Sequence, residues 1–129
     1  MTEPSEDAVA FEGYLGASSP EVADVARTLR LTVLEALSGA IEWFDQGNGL
    51  LAIGTTRTMH DLLFAIIPHR AHVNLQLADG VDLPNPDGRI EGTGKRVRHV
   101  NVRSIDDARS SWLRSTVAEE IAWRRSLAE

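Results

Sequence analysis

Two short segments alternate apolar and polar residues, and this pattern limits what the chain can fold into. In "AHVNLQL" (Ala71–Leu77) every second side chain is apolar, and "RVRHVNV" (Arg96–Val102) places Val100 and Val102 on one face and His99 and Asn101 on the other. Successive side chains of a β-strand point to opposite faces of the sheet. Each segment therefore predicts a strand with one face toward a core and the other half-exposed, as is typical of antiparallel sheets.

Three further segments predict strands. "AIEWF" (Ala40–Phe44) and "LLAIG" (Leu50–Gly54) flank Asn48-Gly49, a dipeptide typical of a tight turn. "LLFAIIP" (Leu62–Pro68) is a short apolar run closed by proline, which predicts a strand buried on both faces. The segment Ala78–Lys95 contains four glycines and two prolines and is predicted to be a loop.

Helical patterns lie on both sides of the strands. Ser19 can cap a helix that begins at Pro20, and apolar residues then recur every three or four positions to about residue 38. Near the C-terminus, Ser104 and Asp107 resemble a capping box ahead of a second apolar stripe. That stripe consists of Trp112, Leu113, Val117, Ala118, Ile121 and Ala122. Residues 1–10 are predicted to be a flexible tail, followed by a short helical turn.

The order of helix, strands and helix predicts an α+β fold with two layers. No helical pattern separates the strands, so we expect an antiparallel sheet of about five strands, with the N-terminal and C-terminal helices packed on one face. A chain of 129 residues is of a size typical of one domain. We expect that domain to span residues 11–129.

Composition excludes several classes of site and partner. The chain has no cysteine, which rules out disulfides, thiolate metal sites and cysteine nucleophiles. It has no apolar run of membrane-spanning length and no signal-peptide pattern, so we expect a cytoplasmic protein without a membrane partner. The net charge of −6 disfavours nucleic acid as a partner. Residues 1–87 carry a net −9 and residues 88–129 a net +3, which leaves room for a local anion site.

Two stretches resemble phosphate or metal loops but fail on spacing. Gly94-Lys95 lacks the earlier glycine of a phosphate-binding loop, and Arg96 follows where serine or threonine is needed. The stretch Asp79–Gly88 has three carboxylates and an asparagine, yet not at the alternating positions of a calcium loop. We interpret the first as the entry to a strand and the second as a solvated turn.

The most specific candidate for a binding site is the polar face of two strands. If the strands containing His72 and His99 pair antiparallel across the 78–95 loop, their polar side chains share one face of the sheet. The predicted ligand-binding residues are His72, Asn74, Gln76, His99 and Asn101, with Arg57 and Trp43 at the margin. The plainer interpretation is a solvated strand face, which places polar residues at the same positions.

Metal and catalytic sites are less well supported. His69, His72 and His99 are the histidines a metal could recruit, since imidazole suits iron, zinc and copper. His69 and His72 are three residues apart, however, and would point to opposite faces of a regular strand. The residue types of a Ser-His-Asp system are present without an elbow motif such as G-x-S-x-G. We therefore predict no metal site, no cofactor and no catalytic residue.

The whole pattern resembles a known family. The runs "IPHRAHVNLQL" and "LPNPDGRIEGTGKRVRHVNVRS", with the closing helix, are similar to the YdhG-like domain of unknown function over about Phe11 to Leu127. The stretch "GTGKRVRHVNVRS", with "PHRAHVNL" before it, is the most specific part. The resemblance implies a small α+β domain with an antiparallel sheet, and it implies no defined reaction.

Some members of that family are described as frataxin-like iron chaperones, so the resemblance also implies an alternative function. That role would favour clustered carboxylates, whereas the first long predicted helix offers only Glu21, Asp24 and Glu35. We therefore expect a non-enzymatic domain that binds a small polar or anionic ligand, or a protein partner, on the polar face of its sheet. A catalytic role is left open because two of the histidines titrate near neutral pH, and a homodimer is also left open.

Overall fold

The computed structural model describes residues 5–128 and shows an α+β fold. Two helices come first, α1 (Glu6–Leu15) and α2 (Pro20–Ala36), followed by six strands and two closing helices. The strands are β1 (Ile41–Asp45), β2 (Leu50–Gly54), β3 (Leu62–Pro68), β4 (Val73–Leu77), β5 (Ile90–Glu91) and β6 (Arg98–Val102). The closing helices are α3 (Ile105–Arg109) and α4 (Ser111–Leu127). No helix in the described part of the chain is both long and apolar enough to cross a membrane.

The six strands form one antiparallel sheet in the order β1-β2-β3-β4-β6-β5. The antiparallel pairing across the long loop, on which the shared polar face depends, is present, since β4 pairs with β6. The sheet has one strand more than the five expected because the loop contains β5, a strand of only two residues. So short a segment has no alternation by which the sequence could reveal it.

The helices cover one face of the sheet, as predicted. On every long strand, alternate side chains point toward the helices and form the core with them. Examples are Ile66 on β3, Leu75 on β4 and Val100 on β6. Helix α2 adds Leu29 and the rest of its apolar stripe to the same core. The predicted cap is present, because the Ser19 hydroxyl accepts a hydrogen bond from the backbone N–H of Val22 at 3.2 Å. The opposite face of the sheet is half-exposed along β1, β4 and β6, whereas Ala52, Leu63 and Ala65 are buried at its centre, so β3 is buried on both faces as predicted.

The N-terminal prediction needs correction. Helix α1 begins at Glu6, so residues 6–10 are helical rather than a flexible tail, and residues 1–4 lie outside the described residues. Ser5 caps this helix by accepting a hydrogen bond from the N–H of Ala8, and acidic residues occupy its first turn. Ala8, Phe11 and Leu15 are buried at helical spacing, which anchors α1 to the sheet.

The prediction of an apolar stripe near the C-terminus is correct only in part. Leu113, Val117 and Ile121 are buried, but Ala118 and Ala122 are exposed, and the chain turns at Ser110 between α3 and α4. The buried position between Val117 and Ile121 is instead taken by Glu120. A second correction concerns Asp79, which is fully buried although we expected it in a solvated turn.

Candidate functional site

The pairing of β4 with β6 brings the predicted polar residues together. Asn74 lies opposite Asn101, and Gln76 lies opposite His99, on the face of the sheet away from the helices. All of these side chains are half-buried. We call the set of five residues the polar band, and it consists of His72, Asn74, Gln76, His99 and Asn101.

His72 sits one residue before β4, in the turn that joins β3 to β4. The backbone N–H of His69 donates to the carbonyl of His72 at 2.8 Å, and the two imidazole rings stack with their centroids 4.9 Å apart. Our inference that these histidines point to opposite faces is therefore wrong, because it assumed a regular strand where the chain turns. His69 thus lies beside the polar band.

The environment of His72 keeps its ring neutral. Burial lowers the pKa of His72 below its ordinary value, and the nearby charges of His69, Arg103 and His99 lower it further. Arg103 has the same strand parity as His99 and Asn101, so extending that alternation by two residues would have predicted its position. A neutral imidazole offers one N–H donor and one nitrogen acceptor to a ligand.

One polar atom of the band has no ordinary hydrogen bond. The side-chain carbonyl oxygen of Asn74, Oδ1, is buried and accepts no hydrogen bond of normal geometry from the described residues. The amide of Asn74 raises the pKa of His72, so the imidazole ring lies next to this amide. Most buried polar side-chain atoms in folded proteins have a partner, so Oδ1 of Asn74 is a point where a ligand donor would be stabilising.

Glu91 joins the polar band from the short edge strand. Its carboxylate accepts a hydrogen bond from Nδ2 of Asn101 at 2.7 Å and lies 3.9 Å from Nε2 of His99. Sequence reasoning missed Glu91 because its strand was interpreted as a loop. The carboxylate gives this end of the band an acceptor in addition to its amide and imidazole groups.

Trp43 and Arg57, the two residues predicted at the margin of the site, lie near the opposite edge of the sheet. Trp43 is on β1, four strand spacings or about 19 Å from His99. Arg57 packs over the Trp43 ring at 5.6 Å and pairs with Asp7 of α1 at 2.9 Å. Arg57 is thus held at the β1 edge and does not reach the polar band.

Trp43 is nevertheless connected to the band by a groove. Trp43, Ala52, Ala65 and Gln76 are neighbours in one row across the sheet. The two alanines leave a depression between the larger side chains, and Trp43 and Gln76 line the same groove of about 270 Å³. This volume is close to the lower end of the range typical of small-molecule sites.

A buried charged cluster, which sequence reasoning missed, lies where β4 ends. The Asp79 carboxylate accepts hydrogen bonds from Arg96 at 2.8 Å and from Nε of Arg124 at 3.0 Å. The backbone N–H of Asp79 donates to Oε1 of Glu120 at 2.7 Å, and both acidic side chains are fully buried. No local pattern marks Glu120, because it occupies a core position of α4 where the apolar period predicts a hydrophobic residue.

The two acids of this cluster differ in protonation. Burial raises the pKa of Glu120 to about 8, and the adjacent Asp79 carboxylate favours the same change. Burial also opposes ionisation of Asp79, but its contacts with Glu120, Arg96 and Arg124 outweigh that and lower the pKa of Asp79 below its ordinary value. Glu120 is therefore neutral and Asp79 ionised near pH 7.

The raised pKa of Glu120 predicts a specific pH dependence of stability. The unfolded chain releases this proton near the ordinary value of 4.5, whereas the folded protein keeps it until about pH 8. The folded state binds more protons between these values, so the contribution of Glu120 to the free energy of unfolding falls as the pH rises through this window. We expect Glu120→Gln to remove this decline, as measured by urea unfolding at about pH 6 and about pH 9. Parallel pH profiles for the two proteins would contradict the assignment.

Within residues 5–128, no group of three or more histidine, aspartate and glutamate side chains is placed to hold a metal ion. His72 and His99 share a face of the sheet, but imidazoles alone at two positions make a weak metal site.

Comparisons of the chain with protein-family models, with curated proteins and with solved structures found no match.

Proposed function

We propose that this protein is a non-enzymatic binding domain that holds a small polar or anionic ligand on the polar band of its sheet. The observation that carries the proposal is the register of β4 and β6, which places the amide pair of Asn74 and Asn101 next to the amide and imidazole pair of Gln76 and His99 on the half-exposed face. The ligand-facing groups are donors and acceptors of several kinds, so they fit a compact molecule with hydroxyl or carboxylate groups. This function agrees with the resemblance to the YdhG-like domain, which implies no reaction.

Two details support a ligand over a merely solvated face. Oδ1 of Asn74 is buried without an ordinary hydrogen bond, and the neutral ring of His72 lies beside it. Gln76 of the band also lines the groove that extends to Trp43, and this groove gives a mostly apolar surface next to that end of the band. A concave, mostly apolar surface with a few polar groups to fix orientation is the usual composition of a small-molecule site.

We expect His72→Ala and His99→Ala each to leave the fold intact, because both side chains are half-exposed and outside the core. Each change should weaken binding of a shared ligand about tenfold, the effect of losing one hydrogen bond of about 1.4 kcal/mol. Calorimetric titration with citrate and with inorganic phosphate tests this. Arg109→Ala is the control, since Arg109 is exposed on α3 and lines neither the polar band nor either of the two cavities.

Equal affinities for the two variants, the control and the unchanged protein would contradict the proposal. Native mass spectrometry of the purified protein gives a second test, because it reports any retained small molecule and the number of chains together. A stable dimer that hides this face would favour the competing function, in which the polar band binds a protein partner or a second copy of the chain.

The alternative function is an intracellular iron chaperone, and it rests on the family resemblance. We predict that Fe²⁺ binds weakly, because hard oxygen ligands must converge to hold it without thiolates and the acids of this chain are spread over several elements. Anaerobic calorimetry with Fe²⁺ measures this. A saturable stoichiometric isotherm with micromolar or tighter affinity, lost in His72→Ala or His99→Ala, would overturn the prediction and make the iron carrier the better proposal.

A further inference from the structure

A second and larger cavity lies at the end of the sheet where β3 begins and β4 ends. It has a volume of about 670 Å³, within the range typical of sites for small organic molecules. Its walls come from the C-terminal part of α4, the turn at Met59–Asp61, the residues after α2 and the segment before β6. None of the five residues of the polar band lines it.

The rim of this cavity is apolar and exposed. Met59 is 77% exposed, Leu127 is 58% exposed and Val97 is 42% exposed, and all three line the cavity. Single exposed hydrophobic residues are common on protein surfaces, but several around one concave site are typical of a ligand-binding surface. Below the rim, the buried side chains of Leu37, Leu63 and Ile121 continue the apolar wall inward.

Three arginines line the same cavity, and they have different roles. The Arg124 side chain already donates hydrogen bonds to the Asp79 carboxylate and to the backbone carbonyls of His60 and Leu62. Arg96 gives one amino group to Asp79, and its side chain remains 66% exposed. Arg125 is exposed and forms no hydrogen bond or ion pair of its side chain with residues 5–128.

The charge around the cavity is positive. Asp61 is the only acid among the lining residues of the described chain, and its carboxylate accepts hydrogen bonds from Thr56 and Thr58. Asp79 lies behind the arginines and balances one of them. Guanidinium groups bind carboxylates through paired, charge-assisted hydrogen bonds, so Arg96 and Arg125 have donors suited to one carboxylate.

We propose that this cavity binds an amphiphilic carboxylate, with its carboxyl group at Arg96 and Arg125 and its hydrocarbon body against Met59, Val97 and Leu127. The cavity shares Met59 and Val97 with the groove beside Gln76 but none of the five residues of the polar band, and the inference does not depend on the function proposed for that band. All three arginines belong to residues 88–129, the part of the sequence with a net charge of +3. The cavity is therefore a place where this positive charge is concentrated.

Calorimetric titration of the full chain with octanoate, octan-1-ol and acetate tests the inference. We expect saturable binding of octanoate and much weaker binding of the other two, because one lacks the charge and the other lacks the chain. Arg125→Gln should weaken octanoate binding about tenfold or more by removing a charge-assisted contact, and Met59→Gln should weaken it by removing apolar surface. Both positions are exposed, so neither change endangers the fold.

Arg109→Gln is the matched control for charge, since Arg109 is an exposed arginine on α3 that does not line the cavity. Equal loss of affinity in Arg109→Gln and Arg125→Gln would overturn the proposal by showing a general charge effect. Octan-1-ol binding as tightly as octanoate, or binding only to anionic phospholipid vesicles and not to octanoate, would also overturn it. His72→Ala should leave octanoate binding unchanged, so failure of this site and failure of the polar band can be told apart.

Discussion

Replacement of Asp79 by alanine is expected to lower the free energy of unfolding by about 3–5 kcal/mol, the usual cost of breaking a buried ion pair by removing one partner. The Asp79 carboxylate is fully buried and accepts hydrogen bonds from Arg96 and Arg124. Without it, the Arg124 guanidinium, of which only 21% of the side chain is exposed, loses its counter-ion. Urea unfolding of the two proteins at neutral pH measures the difference.

Asp82→Ala is the matched control, because Asp82 is an exposed acid three residues further along the same loop. We expect its effect to stay within about 0.5 kcal/mol, as is usual for surface positions. If Asp79→Ala were as mild as this control, the cluster of Asp79, Arg96 and Arg124 would not stabilise the native fold. The cluster also positions Arg96 and Arg124 at the large cavity, so its loss should alter octanoate binding as well.

Leu29→Ala is expected to destabilise the protein by about 2–5 kcal/mol, the range for truncating a buried leucine and leaving a cavity. Leu29 is fully buried in the core between α2 and the sheet. Leu31 lies on the same helix but is 56% exposed, so Leu31→Ala removes the same atoms from a solvated position. Denaturant unfolding of both variants should give a large change for Leu29 and a small one for Leu31. Equal changes would mean that α2 is not packed on the sheet as described.

Much of the fold could be predicted because its elements have clear periods. The bounds of β2 and β3 match the segments that alternation and apolar runs predicted, and α2 begins at the proline that follows its capping serine. The pairing of β4 with β6 was a condition of the sequence interpretation, and the observed register meets it by placing both apolar sets on one face. The same reasoning located most of the polar band.

The remaining features depend on tertiary contacts that local patterns do not encode. The short strand of Glu91 forms only because β6 offers it a partner edge. Asp79 and Glu120 are 41 residues apart and become buried together through a contact between a loop and α4. His69 and His72 stack because the chain turns between β3 and β4, where the period of two no longer applies. Arg57 is drawn to the β1 edge by Asp7, from a helix that sequence reasoning placed partly in a tail.

The measurement that tests the central claim most directly is a citrate titration of the isotopically labelled protein followed by nuclear magnetic resonance. Binding at the polar band predicts saturable shift changes at the side-chain amides of Asn74, Gln76 and Asn101 and at the rings of His72 and His99. The resonances of Arg96 and Arg125 should move little, since these residues line the other cavity. Shift changes confined to those two arginines, or the absence of any saturable change along β4 and β6, would contradict the proposed function.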